Sequence, residues 1–348
     1  MADKIGRFGE SYFSMTLNFK KIIIFVCLVS FGFLGGWLLK DRFASQKSDL
    51  ITPLRLGGFK FIKPLLVCDT SEHDYSRLSS LEKKLSALIN EEIQKNNISV
   101  TSVFFQDFKT NARISINNEE KFYAASLSKI PVMMAYYKIA QTNPEVLSQK
   151  IEYALSDVDL NSQQEIKPIN PTKPDQPYTV QELIEEMIQD SDNNAADVLV
   201  QNLGVDTIHR VFSDLQVPFL DAATLENHDF VTASNFSFFF RVLYSSTYLN
   251  EEYSEKALEV LNKTNFSDGI VAGVPQGVAV AHKFGLATIK PKDIVISREL
   301  NDCGIVYNQK NPYLLCVMTK SSASLADIEA VIQRISALAY QEADSDYQ

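Results

Sequence analysis

The sequence predicts an α/β (α+β) protein: an antiparallel sheet flanked by N- and C-terminal helices, an inserted all-α subdomain, and one N-terminal transmembrane helix. Three observations carry this. Strand-type segments cluster near both ends of the folded part. The stretch between them is punctuated as successive helices. An uncharged apolar run sits near the start of the chain.

The chain has 348 residues, enough for one large domain with a full core. Its hydrophobic fraction of 45% and charged fraction of 22% are those of an ordinary globular protein. Net charge is −10 and no basic stripe interrupts it, which argues against nucleic acid as a partner. The four histidines are scattered, and neither HExxH nor CxxC occurs, so no metal and no cofactor are expected.

Ile22–Leu39 is an uncharged run of 18 residues, just long enough to span a hydrocarbon core. Lys20 and Lys21 precede it and Lys40 and Arg42 follow; Lys4 and Arg7 tilt the balance slightly towards a cytoplasmic N-terminus. The run is long for a signal-peptide core and no small-x-small site follows it. The expectation is a single-pass cell-membrane protein: cytoplasmic tail 1–21, anchor 22–39, linker 40–70, and an extracytoplasmic domain at 71–342. With Cys27 in the anchor, Cys68, Cys303 and Cys316 remain. An exported domain can keep a disulfide. Cys316 sits in an apolar run that reads as a buried strand, which leaves Cys68 with Cys303 as the expected pair.

Leu78, Leu81, Leu85, Leu88, Ile89 and Ile93 recur at helical spacing. Residues 98–108 and 113–116 then read as a hairpin turning at Lys109-Thr110-Asn111. A helix is expected from Ser126 to Thr142, and a shorter helical stretch from Asn143-Pro144 to about Ser156. Four prolines make 161–177 an irregular loop. Thr179 and Glu182 form a capping box, with Tyr178 and Leu183 as its staple, and start a helix that reaches Asp190. Ser191-Asp192-Asn193-Asn194 breaks the pattern. Ala195–Leu203 resumes it and Gly204 ends it. A helix at 206–215, a loop at 217–231, a phenylalanine-rich helix capped by Thr232 and a helix at 251–262 follow. Strands are expected at 277–284, 303–308 and 313–319, then a last helix behind the Ser324 cap. The α/β part is thus about 71–117 and 277–342, and the all-α part about 118–276, with a cleft where the two meet.

Three polar elements fall along this frame: Ser126-x-x-Lys129, Ser191-Asp192-Asn193, and Lys283-Phe284-Gly285. A desolvated amine one helical turn from a hydroxyl can take its proton and make it a nucleophile. In order and type the three match the Ser-x-x-Lys, Ser-Asp-Asn and Lys-Thr-Gly set of serine β-lactamases and penicillin-binding proteins. Over about residues 71–342 the chain resembles a class A β-lactamase-like serine hydrolase, and its fold is expected to be β-lactamase/transpeptidase-like.

That resemblance implies roles. Ser126 becomes the acylated nucleophile and Lys129 the amine that helps deprotonate it. Ser191 relays a proton to the leaving nitrogen. Lys283 holds the Ser191 hydroxyl and favours an anionic substrate. Asn193 binds the substrate's side-chain amide and helps fix Lys129. Backbone N–H groups of Ser126 and Leu286 form the oxyanion hole, with Gly285 beside them. Whether a lowered lysine or a separate base serves Ser126 stays open. Two positions depart from the family. Phe284 replaces the usual Thr or Ser of the third motif, and the Glu-x-x-Leu-Asn pattern of the deacylating glutamate is absent, leaving Glu226 in Leu225-Glu226-Asn227 as its candidate. The expected activity is hydrolysis of a small-molecule β-lactam by a monomer. The alternatives are a D,D-peptidase acting on D-Ala-D-Ala peptides and a module that binds without turnover.

Overall fold

The computed structural model describes residues 55–66, 78–152, 159–218, 230–291 and 294–345. They lie in one compact unit, Thr52–Gln348. The expected anchor at 22–39, Cys68 and Glu226 all lie outside the described residues. Among the described residues, no helix is long and apolar enough to cross a membrane.

In chain order the elements are α1 (Ser79–Gln94), β1 (Val100–Asp107), β2 (Arg113–Ile116), a 3-10 turn (Ala125–Ser128), α2 (Lys129–Ala140), β3 (Lys150–Glu152) and β4 (Pro177–Thr179). Then come α3 (Val180–Gln189), α4 (Asn193–Leu203), α5 (Val205–Asp214), α6 (Ala233–Tyr244), α7 (Glu251–Leu261), β5 (Val280–Ile289), β6 (Ser297–Val306), β7 (Tyr313–Ser321) and α8 (Leu325–Asp344). The large sheet has five strands in the order β2-β1-β7-β6-β5, and each neighbouring pair is antiparallel. Early and late strands therefore share one sheet, as their flanking positions predict.

Both faces of that sheet are covered, and the strands are apolar on both sides. Phe104, Leu314 and Met318 face one core with α2 to α7. Val103, Phe105, Leu300 and Val317 face the other with α1 and α8. Helix α2 is buried along almost its whole length, which fits a helix that is apolar all round. It forms the axis of the helical block. The capping box at Thr179–Glu182 starts α3 as its sequence dictates.

Four details differ from the sequence expectation. Cys303 and Cys316 face each other across the β6–β7 register and form the disulfide, so Cys303 does not pair with Cys68. Strand register, which cysteine spacing does not reveal, decides this pairing. Lys150–Glu152 is a strand rather than helix, because it pairs with Pro177–Thr179. β6 begins at Ser297, well before the apolar run at 303–308, because its polar residues have long-range partners described below. Finally, residues 55–66, within the stretch read as a linker, form a strap on the domain. Phe61 and Ile62 are buried in the core of the helical block. The Glu255 carboxylate accepts from the backbone N–H groups of Lys60, Phe61 and Ile62.

Candidate functional site

The segment leading into Ser126 is fixed from two sides. The Tyr123 N–H donates to Glu299 Oε2 (2.9 Å), and Asn301 Nδ2 donates to the Tyr123 carbonyl (2.8 Å). Both partners lie on β6. On the other side Phe122 N–H donates to the Val231 carbonyl at 2.8 Å. Ala125 then takes a left-handed backbone with φ of 47°, a strained state for a residue with a side chain. The chain enters the 3-10 turn and passes directly into α2. Ser126 therefore sits on the turn, and Lys129 is the first residue of the helix rather than one turn inside it.

Lys129 joins the first two motifs. Its Nζ donates to the Ser191 carbonyl (2.6 Å), Ser191 Oγ (3.2 Å) and Asn193 Oδ1 (2.7 Å). The side chain is 5% exposed. Burial pushes its pKa down to about 7, against the opposing pull of the Asp192 charge. A pKa lowered this far brings the neutral amine within reach near neutral pH, and a neutral amine can accept a proton.

Ser191 occupies the break between α3 and α4 in a left-handed conformation, φ 58°. Asp192 makes the break stable. Its Oδ1 caps α4 by accepting from Asn194 N–H (2.7 Å) and Ala195 N–H (3.2 Å), and it also accepts from Asn161 Nδ2 (2.8 Å). Asn161 Oδ1 in turn accepts from Asn193 N–H (2.8 Å), and Asn194 Oδ1 from Leu160 N–H (3.0 Å). The proline-rich loop is thereby fastened to the second motif, and Leu160 is placed on the cleft wall.

Lys283 comes from β5 and is fully buried. Burial and then the nearby Lys129 charge hold its pKa well below the usual lysine value, opposed by Asp302 and Asp190. Its Nζ donates to the Phe284 carbonyl at 3.0 Å and lies 4.1 Å from the centre of the Phe284 ring. It does not bond the Ser191 hydroxyl, so the contact expected from the motif is not formed. Phe284 faces the opposite core and stacks on Phe266 at 4.3 Å. Gly285 has a steric reason: a Cβ there would lie 2.8 Å from the Ala124 carbonyl oxygen and 3.1 Å from Ser126 N. Only glycine lets β5 approach the turn this closely.

Ser126, Lys129, Asn193 and Leu286 line one cleft of about 520 Å³, with Tyr123, Leu160 and Thr288 at its edges. Ser191 lies just behind, bonded to Lys129. Lys283 and Gly285 are not among the residues that line this cleft. Sequence reading missed Glu299 and Asn301, which hold Tyr123, and Asn161, which ties the loop to Asn193. Asn161 lies in a loop and Glu299 and Asn301 in a mostly polar stretch, so no apolar pattern marked them. Among the described residues, no cluster of His, Cys, Asp or Glu is arranged to hold a metal ion.

The chain is similar to known proteins in sequence and in fold. Residues 80–343 match the model of the beta-lactamase enzyme family. Beta-lactamase CTX-M-8 of Citrobacter amalonaticus is 31% identical over 130 residues, 37% of this chain and 41% of that protein, so the match spans less than half of the relative's length. A class A beta-lactamase from Bacteroides cellulosilyticus aligns at a TM-score of 0.64 and 22% identity, over 76% of this chain and 99% of the other. PBP-A aligns at 0.62 and 20% identity, over 76% and 96%. A mutant of PBP-A is known as an acyl-enzyme complex with penicillin G.

Proposed function

The chain belongs to the beta-lactamase enzyme family, and on that premise we propose that it hydrolyses β-lactam amides through an acyl-enzyme on Ser126. The observation that carries this is the Lys129 amine: buried, its pKa lowered to about 7, and held against Ser191 and Asn193 beside the cleft that contains Ser126.

Ser126 Oγ attacks the lactam carbonyl carbon, and its proton passes to the neutral Lys129 amine. Negative charge on the carbonyl oxygen is held by the N–H groups of Ser126 and Leu286; one such donor is typically worth about 3–4 kcal/mol in the transition state. The C–N bond breaks, and the nitrogen takes a proton from Ser191 Oγ. Lys129, 3.2 Å away, restores that proton. Lys283 attracts the substrate's carboxylate. Water activated by Glu226 then cleaves the ester.

Nitrocefin turnover by the purified chain tests this, wild type beside Glu226→Gln. Continuous turnover in the wild type, reduced to a single burst in the variant, is expected. A single stoichiometric burst in the wild type rejects β-lactamase activity. It would leave the reading as a D,D-peptidase. The Cys303–Cys316 disulfide supports an oxidising, extracytoplasmic location behind an anchor at 22–39. Protease shaving of intact cells tests that location: the domain should be digested, and full protection would contradict it.

A further inference from the structure

A second cavity, of about 220 Å³, shares no lining residue with the Ser126 cleft. It lies where the strap meets β1 and α6, and the groups that face it include Arg55, Arg241, Gln106, Phe238 and Ser245. Its volume is far more than one water requires.

The chemistry of its wall is unusual for a chain of net charge −10. Arg55 from the strap and Arg241 from α6 both face it, and Arg113 is close enough to Arg241 for their charges to repel. None of the three forms an ion pair with a described carboxylate. Arg55 donates from Nη1 to the Lys63 carbonyl (2.9 Å) and Ser245 Oγ (3.3 Å), but its Nε is buried without a partner. Its guanidinium lies 5.4 Å from the Tyr244 ring centre, which orients it. Arg241 likewise lies over Phe238, at 5.2 Å. Gln106 is 2% exposed, lines the cavity, and its Oε1 has no partner. Buried donors and acceptors are normally paired, and guanidiniums gathered without a counter-charge are costly. An anion in the cavity would meet the need of the guanidiniums, and a hydroxyl on it that of Gln106, by donating to Oε1.

We propose that this cavity is a binding site for a small oxyanion carrying a hydroxyl, a phosphomonoester or a hydroxycarboxylate. Arg55 and Arg241 bind the anionic oxygens and Gln106 Oε1 accepts from the hydroxyl. The apolar walls formed by Leu65, Phe108 and Val242 receive the rest of the molecule. Guanidinium is the side chain suited to this, because its planar fork matches both carboxylate and phosphate.

The test is isothermal titration calorimetry on the full chain at fixed ionic strength, with inorganic phosphate and citrate as separate probes. Saturable one-to-one binding of at least one probe is expected, weakened about tenfold or more in Arg241→Gln and in Arg55→Gln. Phosphate alone would assign the phosphomonoester class, and citrate alone the hydroxycarboxylate class. Arg55→Gln also loosens the strap, so Arg241→Gln decides, with its melting temperature checked to show that it is folded. No saturable heat from either probe overturns the proposal. So does binding that survives Arg241→Gln, since that heat would belong to the Ser126 cleft.

Discussion

Two buried lysines carry the first and third motifs, and they are held very differently. Lys129, at the start of α2, has three oxygen acceptors on Ser191 and Asn193, more than sixty residues away in sequence. Its position is set by tertiary structure. Lys283, on β5, bonds the carbonyl of its own neighbour and lies over that neighbour's ring. Its position is set by the strand alone. Desolvation lowers the pKa of both amines, so burial by itself does not separate them. What separates them is the origin of their partners. The helix side of the site is held by residues distant in sequence, whereas Lys283 is held within its own strand.

This contrast can be broken experimentally. Lys129→Met should slow acylation by penicillin by about a thousandfold, the usual weight of a general base, with little change in fold. An acylation rate within a few-fold of wild type would remove Lys129 from the chemistry. Gly285→Ala should come next. Its Cβ meets the Ala124 carbonyl, so turn and strand must separate; a displacement of about 1 Å costs on the order of a hundredfold in rate. Stopped-flow acylation checks this, and unchanged kinetics would show that the close approach is irrelevant.

Phe284→Thr probes the strand side. Losing the ring beside Phe266 should destabilise the protein by about 3 kcal/mol, read by denaturant unfolding. The last effect is with pH. The folded Lys129 pKa is lowered to about 7, so the amine is neutral above that pH and charged below it. Acylation should therefore fall about tenfold per pH unit below 7 and level off above it. A flat profile from pH 5 to 8 would show that the neutral amine is not the base.

Much of this was legible in the chain. The three polar elements, in order, identify the helix turn, the inter-helix break and the edge strand that meet at the cleft. Thr179–Glu182 fixes the start of α3, and the hairpin at 98–116 falls where its β-branched run predicts. The unreadable parts share one physical cause: their stability comes from distant partners. Glu299, Asn301 and Asp302 make the first half of β6 look like a loop. They are buried because they hold Tyr123, His282 and Ile270. Cys303 finds Cys316 through strand register. The strap at 55–66 has little pattern of its own and is anchored by Glu255. The direction of Lys283 depends on Phe284, an exception to the family pattern visible in the sequence, though its consequence was not.

The central claim is that Ser126 is the residue that is acylated. Intact-protein mass spectrometry after penicillin addition, followed over time in wild type and Ser126→Ala, tests it most directly. The account predicts one added penicillin mass on the wild type, which then decays, and none on Ser126→Ala. A stoichiometric adduct on Ser126→Ala would contradict it.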